Sequence, residues 1–166
     1  SGKKITLSLK PMPSDSGICF RRSDLLESNI LKADALTVGV TENNTSIGSG
    51  NSAIQTVEHL LSVLYALGID NVLCEIDGPE VPIMDGSGAS FLYLLRQAGV
   101  QNLAKEKNIL LIKDKVHVSH LDKTASIEPH EGFSIESSIS FNHPVIGDQS
   151  FKFDFSSSSF IEKIVR

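Results

Sequence analysis

The sequence predicts an α+β fold in two units, the first nearly complete and the second truncated. Three observations carry that reading. Period-2 apolar residues open the chain, two helix-period runs follow within the first hundred residues, and the pattern turns to strands after about residue 106. The units are expected at 1–106, an α+β unit, and at 107–166, the strand-rich start of a second α+β unit that is incomplete. With 166 residues, 40% hydrophobic and 21% charged, the composition is that of a folded globular chain.

Ile5, Leu7 and Leu9 alternate with Thr6, Ser8 and Lys10, the pattern of a half-buried strand. Residues 11–17 are rich in turn formers, and Ile18-Cys19-Phe20 reads as the return strand. Residues 43–51, rich in Asn, Ser, Thr and Gly, read as a surface loop or loose hairpin. Val57, Leu60, Leu61, Leu64 and Leu67 recur at i, i+3, i+4, i+7 and i+10 and predict a helix, with Thr56 as N-cap and Gly68 as the stop. Residues 71–76 suit a strand ended by Asp77-Gly78-Pro79. A second helix is predicted over 89–98, with Phe91, Leu94, Leu95 and Ala98 on its buried face and Gly99 past its end.

Strand signals then cover residues 109–118, 124–127, 133–141 and 151–155, the last most cleanly because Phe151, Phe153 and Phe155 alternate with Lys152 and Asp154. Ser156 to Ser159 offer N-caps for a helix beginning near Phe160. A sheet with one incipient helix leaves an apolar face wet. Together with the missing initiator Met and the run from Ile161 to Arg166 that no stop signal ends, this reads as a chain cut at both ends.

Charge and patterning exclude several classes. Fifteen Lys plus Arg against twenty Asp plus Glu leave a net charge of −5 with no dense basic stripe, so no nucleic-acid partner is expected. No apolar run reaches the roughly 18–20 residues that cross a bilayer, and residues 1–10 do not form a signal peptide. The two cysteines, Cys19 and Cys74, are too few for a disulfide framework and read as small buried hydrophobes in a reducing cytoplasm.

Glu58 and His59 form the most suggestive pair, an ionisable dyad at the start of a helix whose apolar stripe is already supplied by leucines. Adjacent residues project about 100° apart on a helix, so a metal held by His59 would place a bound water beside the Glu58 carboxylate, the geometry of metal-assisted hydrolysis. A helix-start Glu is ordinarily explained by the macrodipole, and the order Glu-His is not that of H-E-x-x-H. Met84-Asp85-Gly86-Ser87 reads as an Asx turn capping the second helix before it reads as a ligand loop. His117 and His120 at i, i+3 on a strand make a poor chelate, and neither they nor His130 belong to a metal motif. His143, in Phe141-Asn142-His143-Pro144, is read either as a turn cap or as a substrate contact. No nucleophilic triad and no phosphate-binding glycine loop can be assembled.

The segments Thr56-Val57-Glu58-His59-Leu60-Leu61, Leu67-Gly68-Ile69-Asp70-Asn71-Val72 and Gly78-Pro79-Glu80-Val81-Pro82-Ile83-Met84-Asp85-Gly86-Ser87 resemble, in this order, the UDP-3-O-acyl-N-acetylglucosamine deacetylase family. Ser1-Gly2-Lys3-Lys4, Phe20-Arg21-Arg22 and Phe141-Asn142-His143-Pro144 extend the resemblance along the whole chain. These are the zinc amidases that commit Gram-negative bacteria to lipid A synthesis. The resemblance implies two similar units, each a sheet layered with helices, that form a layered sandwich with the helices meeting in the middle. It implies Zn2+ as cofactor, His59 as a metal ligand, Glu58 as general base, and Phe141 against the uridine end of a small-molecule UDP-acyl-glucosamine substrate; His143, close by in the sequence, is taken as a second substrate contact. A cytoplasmic monomer is the accompanying expectation.

This sequence departs from the family in what it lacks: the downstream H-x-x-x-D ligands, a further His and the oxyanion Thr are not among its residues, and 41–47 differs from the apolar, Cys-containing versions. The chain alone is therefore expected to be inactive. The alternative reading is a catalytically incomplete fragment or a nucleotide-sugar or protein-binding module.

Overall fold

The structure is a computed structural model and describes residues 3–166; Ser1 and Gly2, half of the Ser1-Gly2-Lys3-Lys4 motif, lie outside the described residues. The chain divides into two compact units, Ser1–Lys105 with Ile161–Arg166, and Glu106–Phe160.

The first unit holds a four-stranded sheet of β1 (Leu7–Pro11), β2 (Ile18–Arg22), β3 (Leu31–Lys32) and β4 (Val72–Ile76), in the order β1-β4-β2-β3. The chain does return after residues 11–17, but β2 does not pair with β1. β4, fifty residues later, inserts between them, antiparallel to β1 and parallel to β2. The physical reason is burial. β4 buries Val72, Leu73, Cys74 and Ile76 and so belongs at the centre, whereas β1 carries Lys10 and Pro11, residues suited to an edge.

Register partners share a face. Leu9 and Phe20 lie opposite Cys74, and Arg22 lies opposite Ile76. Cys19 lies opposite Leu73 and therefore on the other face from Cys74. That second face carries Lys10, Arg21 and Glu75, whose carboxylate pairs with both cations.

Two helices complete the first unit. α1 spans Glu58–Ala66 and buries Leu60, Val63, Leu64 and Ala66, with Leu61 and Leu67 half-buried. Gly68, at φ 69°, ends it as expected, because the left-handed conformation carries no Cβ penalty there. The N-cap differs from expectation. Val57 occupies that position in helical conformation with no side-chain cap bond, and Thr56 stands one residue outside at φ 58°. Its hydroxyl donates to Glu80 Oε1 instead of capping the helix.

α2 spans Ala89–Ala98, the range predicted, but it buries Phe91, Leu92 and Leu95 and leaves Leu94 55% exposed. The apolar residues permit either face. The stripe 88, 91, 92, 95 prevails because Gly88 packs tightly: a Cβ there would meet Val63 Cγ2 of α1 at 2.8 Å.

Before α2, Asp85 Oδ1 accepts from the Ser87 N–H at 3.1 Å and from its hydroxyl at 2.9 Å, and Ser87 Oγ accepts from the Ala89 N–H at 3.1 Å. Those bonds to Ser87 hold the Asp85 carboxyl below its ordinary range. The Asx turn is therefore present, but it does not cap α2: Gly88 holds the N-cap position in helical conformation with no side-chain cap bond. The fully buried core of the unit combines Phe20, Cys74 and Ile76 of the sheet with Ile47, Ile54, Val57, Leu60, Val63, Leu64 and Val81.

The second unit is two hairpins. β5 (Val116–His120) pairs with β6 (Lys123–Ile127), and β7 (Ser134–Ser140) pairs with β8 (Asp148–Asp154), both antiparallel. The strand expected at 109–118 begins only at Val116; Ile109, Leu110 and Leu111 are exposed and outside any strand. An apolar run with no ladder partner has no hydrogen bonds to hold it extended. Phe153 is buried, and Phe133 meets Phe155 edge to face at 5.9 Å. α3 (Ser157–Lys163) follows. Ser156 caps it reciprocally with Ser159: the Ser159 N–H donates to Ser156 Oγ at 3.0 Å and the Ser156 N–H to Ser159 Oγ at 2.8 Å.

Candidate functional site

The Glu58-His59 pair emerges from a segment fixed on two sides. On one side the Gln55 N–H donates to the Pro79 carbonyl at 2.8 Å, the Val81 N–H donates to the Gln55 carbonyl at 3.0 Å, and Thr56 Oγ1 donates to Glu80 Oε1 at 3.1 Å. These bonds hold Thr56 in the left-handed region, a costly conformation for a β-branched residue and one that persists only where its surroundings impose it. On the other side stands the loop before α1. The Val57 N–H donates to the Thr45 carbonyl at 3.2 Å, and the Thr45 N–H donates to Glu58 Oε2 at 3.1 Å. One residue of the loop thus binds both the backbone and the carboxylate at the helix start.

That loop is itself braced. Gly39 donates to the Ser46 carbonyl at 2.9 Å, Ser46 donates back to the Val40 carbonyl through N–H and hydroxyl, and Ile47 and Ile54 exchange backbone bonds at 2.9 Å. The base of the loop is tied to the sheet by Arg22. Its guanidinium, 7% exposed, donates to both oxygens of Asp24 at 2.7 and 2.6 Å and to the carbonyls of Asn51 and Ala53 at 3.2 and 3.3 Å. The bonds between Arg22 and Asp24, against the cost of burial, raise the Arg22 pKa and lower that of Asp24. Asn44, next to Thr45, carries the one buried side-chain oxygen without a hydrogen-bond partner among the described residues.

Within this frame His59 Nε2 stands 3.7 Å from Glu58 Oε1, beyond hydrogen-bond length. Both side chains are about one-third exposed, His59 at 32% and Glu58 at 38%. Glu58 occupies the first turn of α1, where the helix dipole favours an anion. One carboxylate oxygen is engaged by Thr45 and the other faces the imidazole. Such an arrangement can accept a proton at Oε1 without releasing the Oε2 contact. Surface grooves along α2 and beside Lys3 and Ile5 are lined by other residues and do not include the pair.

Among the described residues no group of three or more His, Cys, Asp or Glu side chains could hold a metal ion. A zinc site takes at least three protein ligands, and His59 offers one imidazole, so the residues of this chain do not make a zinc site by themselves. Cys19 and Cys74 are buried free thiols, and burial pushes the Cys74 thiol up to about 12, with Cys19 adding to the effect.

Phe141 and His143 lie in the second unit, in the turn between β7 and β8. The Phe141 N–H donates to the Gly147 carbonyl at 3.0 Å and the Gly147 N–H to the His143 carbonyl at 2.9 Å. His143 Nδ1 accepts from the N–H groups of Val145 and Ile146 at 3.2 and 3.3 Å, a pattern that assigns the proton of a neutral imidazole to Nε2. The Phe141 ring is 55% exposed. His117, His120 and His130 are exposed and converge on no common centre.

Arg22 and Glu80 stand in motifs that carry the resemblance and Thr45 in the 41–47 stretch that departs from it, yet the residue type of none of them assigns it a role; Thr45 acts through its backbone, for which no side-chain signal exists.

Residues 1–166 match the family LpxC, UDP-3-O-acyl N-acetylglycosamine deacetylase. The chain is 42% identical over 168 residues to the UDP-3-O-acyl-N-acetylglucosamine deacetylase of Acidithiobacillus ferrooxidans. It is 44% identical over 169 residues to that of Aliivibrio fischeri and 44% over 168 residues to that of Methylococcus capsulatus. Each alignment takes in 100% of this chain and 55% of the relative, so the chain spans about half the length of the curated relatives it matches.

Proposed function

The chain belongs to the UDP-3-O-acyl N-acetylglycosamine deacetylase family, and on that premise we propose that its full-length protein hydrolyses the N-acetyl group of UDP-3-O-acyl-N-acetylglucosamine in lipid A synthesis. The observation that carries the reading is the Glu58 carboxylate, held through Oε2 by the Thr45 N–H with Oε1 turned to His59. In the reaction a water oxygen bonds to the acetamide carbonyl carbon and the C–N bond breaks, giving acetate and the free amine. Glu58 takes the proton of the attacking water at Oε1 and is the source of the proton the departing nitrogen needs. Zinc, when bound, supplies a water of lowered pKa and polarises the carbonyl. His59 would be one of its ligands, and the remaining ligands would have to come from outside residues 1–166.

Phe141 and His143 are proposed as substrate contacts, the exposed ring against the uracil and Nε2–H as a donor to a phosphate or sugar oxygen. No helix among the described residues is long and apolar enough to cross a membrane, which fits a reading of the full-length protein as a cytoplasmic enzyme acting on a small molecule. The test is acetate release from UDP-3-O-acyl-N-acetylglucosamine by the full-length protein, alongside metal analysis of its His59→Ala variant. Activity that chelation abolishes, with zinc content falling in the variant, supports the proposal. Absent turnover in a protein that still binds the nucleotide sugar would favour the binding-module reading instead.

A further inference from the structure

The loop 39–54 has a role that the general-base reading leaves open. Glu58 is the first residue of α1, about one-third exposed, on a flexible side chain that water would leave free to rotate. A base must sit within hydrogen-bond reach of the proton it takes, and a displacement of about 1 Å costs on the order of 100-fold in rate. Among the described residues a single hydrogen bond holds this carboxylate, and it comes from the Thr45 backbone at 3.1 Å. The same residue takes the Val57 N–H on its carbonyl, so loop and helix start are joined by two bonds at one point.

We infer that the Thr45 peptide N–H positions Glu58: it holds Oε2 in place and so presents Oε1 to the reacting water. The inference rests on the general-base reading of Glu58. Thr45 touches no reacting atom, so it is a positioning residue, and its side chain plays no part. Any residue with a backbone N–H serves at position 45, provided the loop keeps its path. Arg22 contributes at one remove, because its bonds to the carbonyls of Asn51 and Ala53 anchor the base of the loop.

The test uses the full-length protein, with kcat expressed per correctly folded, zinc-loaded site. Thr45→Ala keeps the N–H and is expected to leave kcat within threefold. Replacing Thr45 by its α-hydroxy acid turns the donor N–H into an ester oxygen while keeping the side chain. It is expected to lower kcat about 10- to 100-fold with KM within threefold. Thr45→Pro removes the same donor more crudely, and the ester keeps the question decidable if the proline variant does not fold.

A second reading comes from hydrogen exchange. The Thr45 amide is expected to exchange at least tenfold faster in Glu58→Ala than in the parent. An ester variant with unchanged kcat, or a Thr45 amide whose exchange ignores Glu58, overturns the inference while leaving the base intact. Full activity in Glu58→Gln would instead overturn the base reading itself.

Discussion

Arg22 provides the most quantitative test of how the sheet holds the loop. It is a cation at 7% exposure on the core face of β2, and its four bonds run to Asp24, Asn51 and Ala53. Removing one partner of a buried ion pair costs about 3–5 kcal/mol when the other is left stranded. Asp24, at 32% exposure, recovers part of its hydration, and the carbonyls lie near the surface. Arg22→Met is therefore expected to cost about 2–4 kcal/mol. Asp24→Asn, which keeps a neutral acceptor, is expected to cost about 1–2 kcal/mol. The double variant should fall short of the sum by about 1–2 kcal/mol, because the two side chains share bonds.

The assay is native-state hydrogen exchange at the Cys74 amide in central strand β4, which reports the opening of this unit rather than of the whole protein. At 1.36 kcal/mol per decade, Arg22→Met should raise its exchange rate about 30- to 900-fold. A rate within threefold of the parent, or strictly additive single and double variants, would refute the account of Arg22 as the anchor.

Three further outcomes follow from the same structure. The Asp24 carboxyl is held below its ordinary range by the Arg22 hydrogen bonds, so its contribution is present above the unfolded pKa near 3.9 and is lost as pH falls through the lower folded value. The deficit of Arg22→Met measured by exchange should therefore be flat from pH 7 to about 5 and shrink below about 4. Leu64 is fully buried, and Leu64→Ala should cost about 3–5 kcal/mol in denaturant unfolding, whereas Leu94→Ala, on a 55% exposed residue of α2, should cost under about 1 kcal/mol. Burial pushes the Cys74 thiol to about 12, so its alkylation at pH 8 should run at least about 1000-fold slower in native than in unfolded protein, read by mass spectrometry. No Cys19–Cys74 disulfide should form in the native state, since the two thiols sit on opposite faces of the sheet.

The legible parts of the fold are those with local causes. α1 and α2 end at Gly68 and Gly99 because a glycine stop needs no tertiary help, and Ser156 caps α3 through a bond to a residue three positions away. What the sequence does not show is non-local. β4 displaces β2 from β1 because of its burial, which is a property of the assembled unit. Thr56 looks like an N-cap by residue type, yet Gln55, Thr56 and Val57 are each bonded to distant chain, and the cap is overridden. α2 has two acceptable apolar faces, and the choice depends on Gly88 against Val63.

The site divides in the same way. The Glu58-His59 pair stands out in the sequence because two ionisable groups follow one another on a leucine-striped helix. The Thr45 contact does not, since any residue but proline carries that N–H.

The central claim is that Glu58 moves the proton, and the direct measurement is steady-state turnover of full-length Glu58→Gln on UDP-3-O-acyl-N-acetylglucosamine, with zinc content determined on the same sample. Gln keeps the shape and still accepts the Thr45 N–H, but it cannot take a proton. The expected kcat is lower by about 100- to 10,000-fold with zinc stoichiometry and KM retained. A kcat within threefold of the parent would contradict the claim.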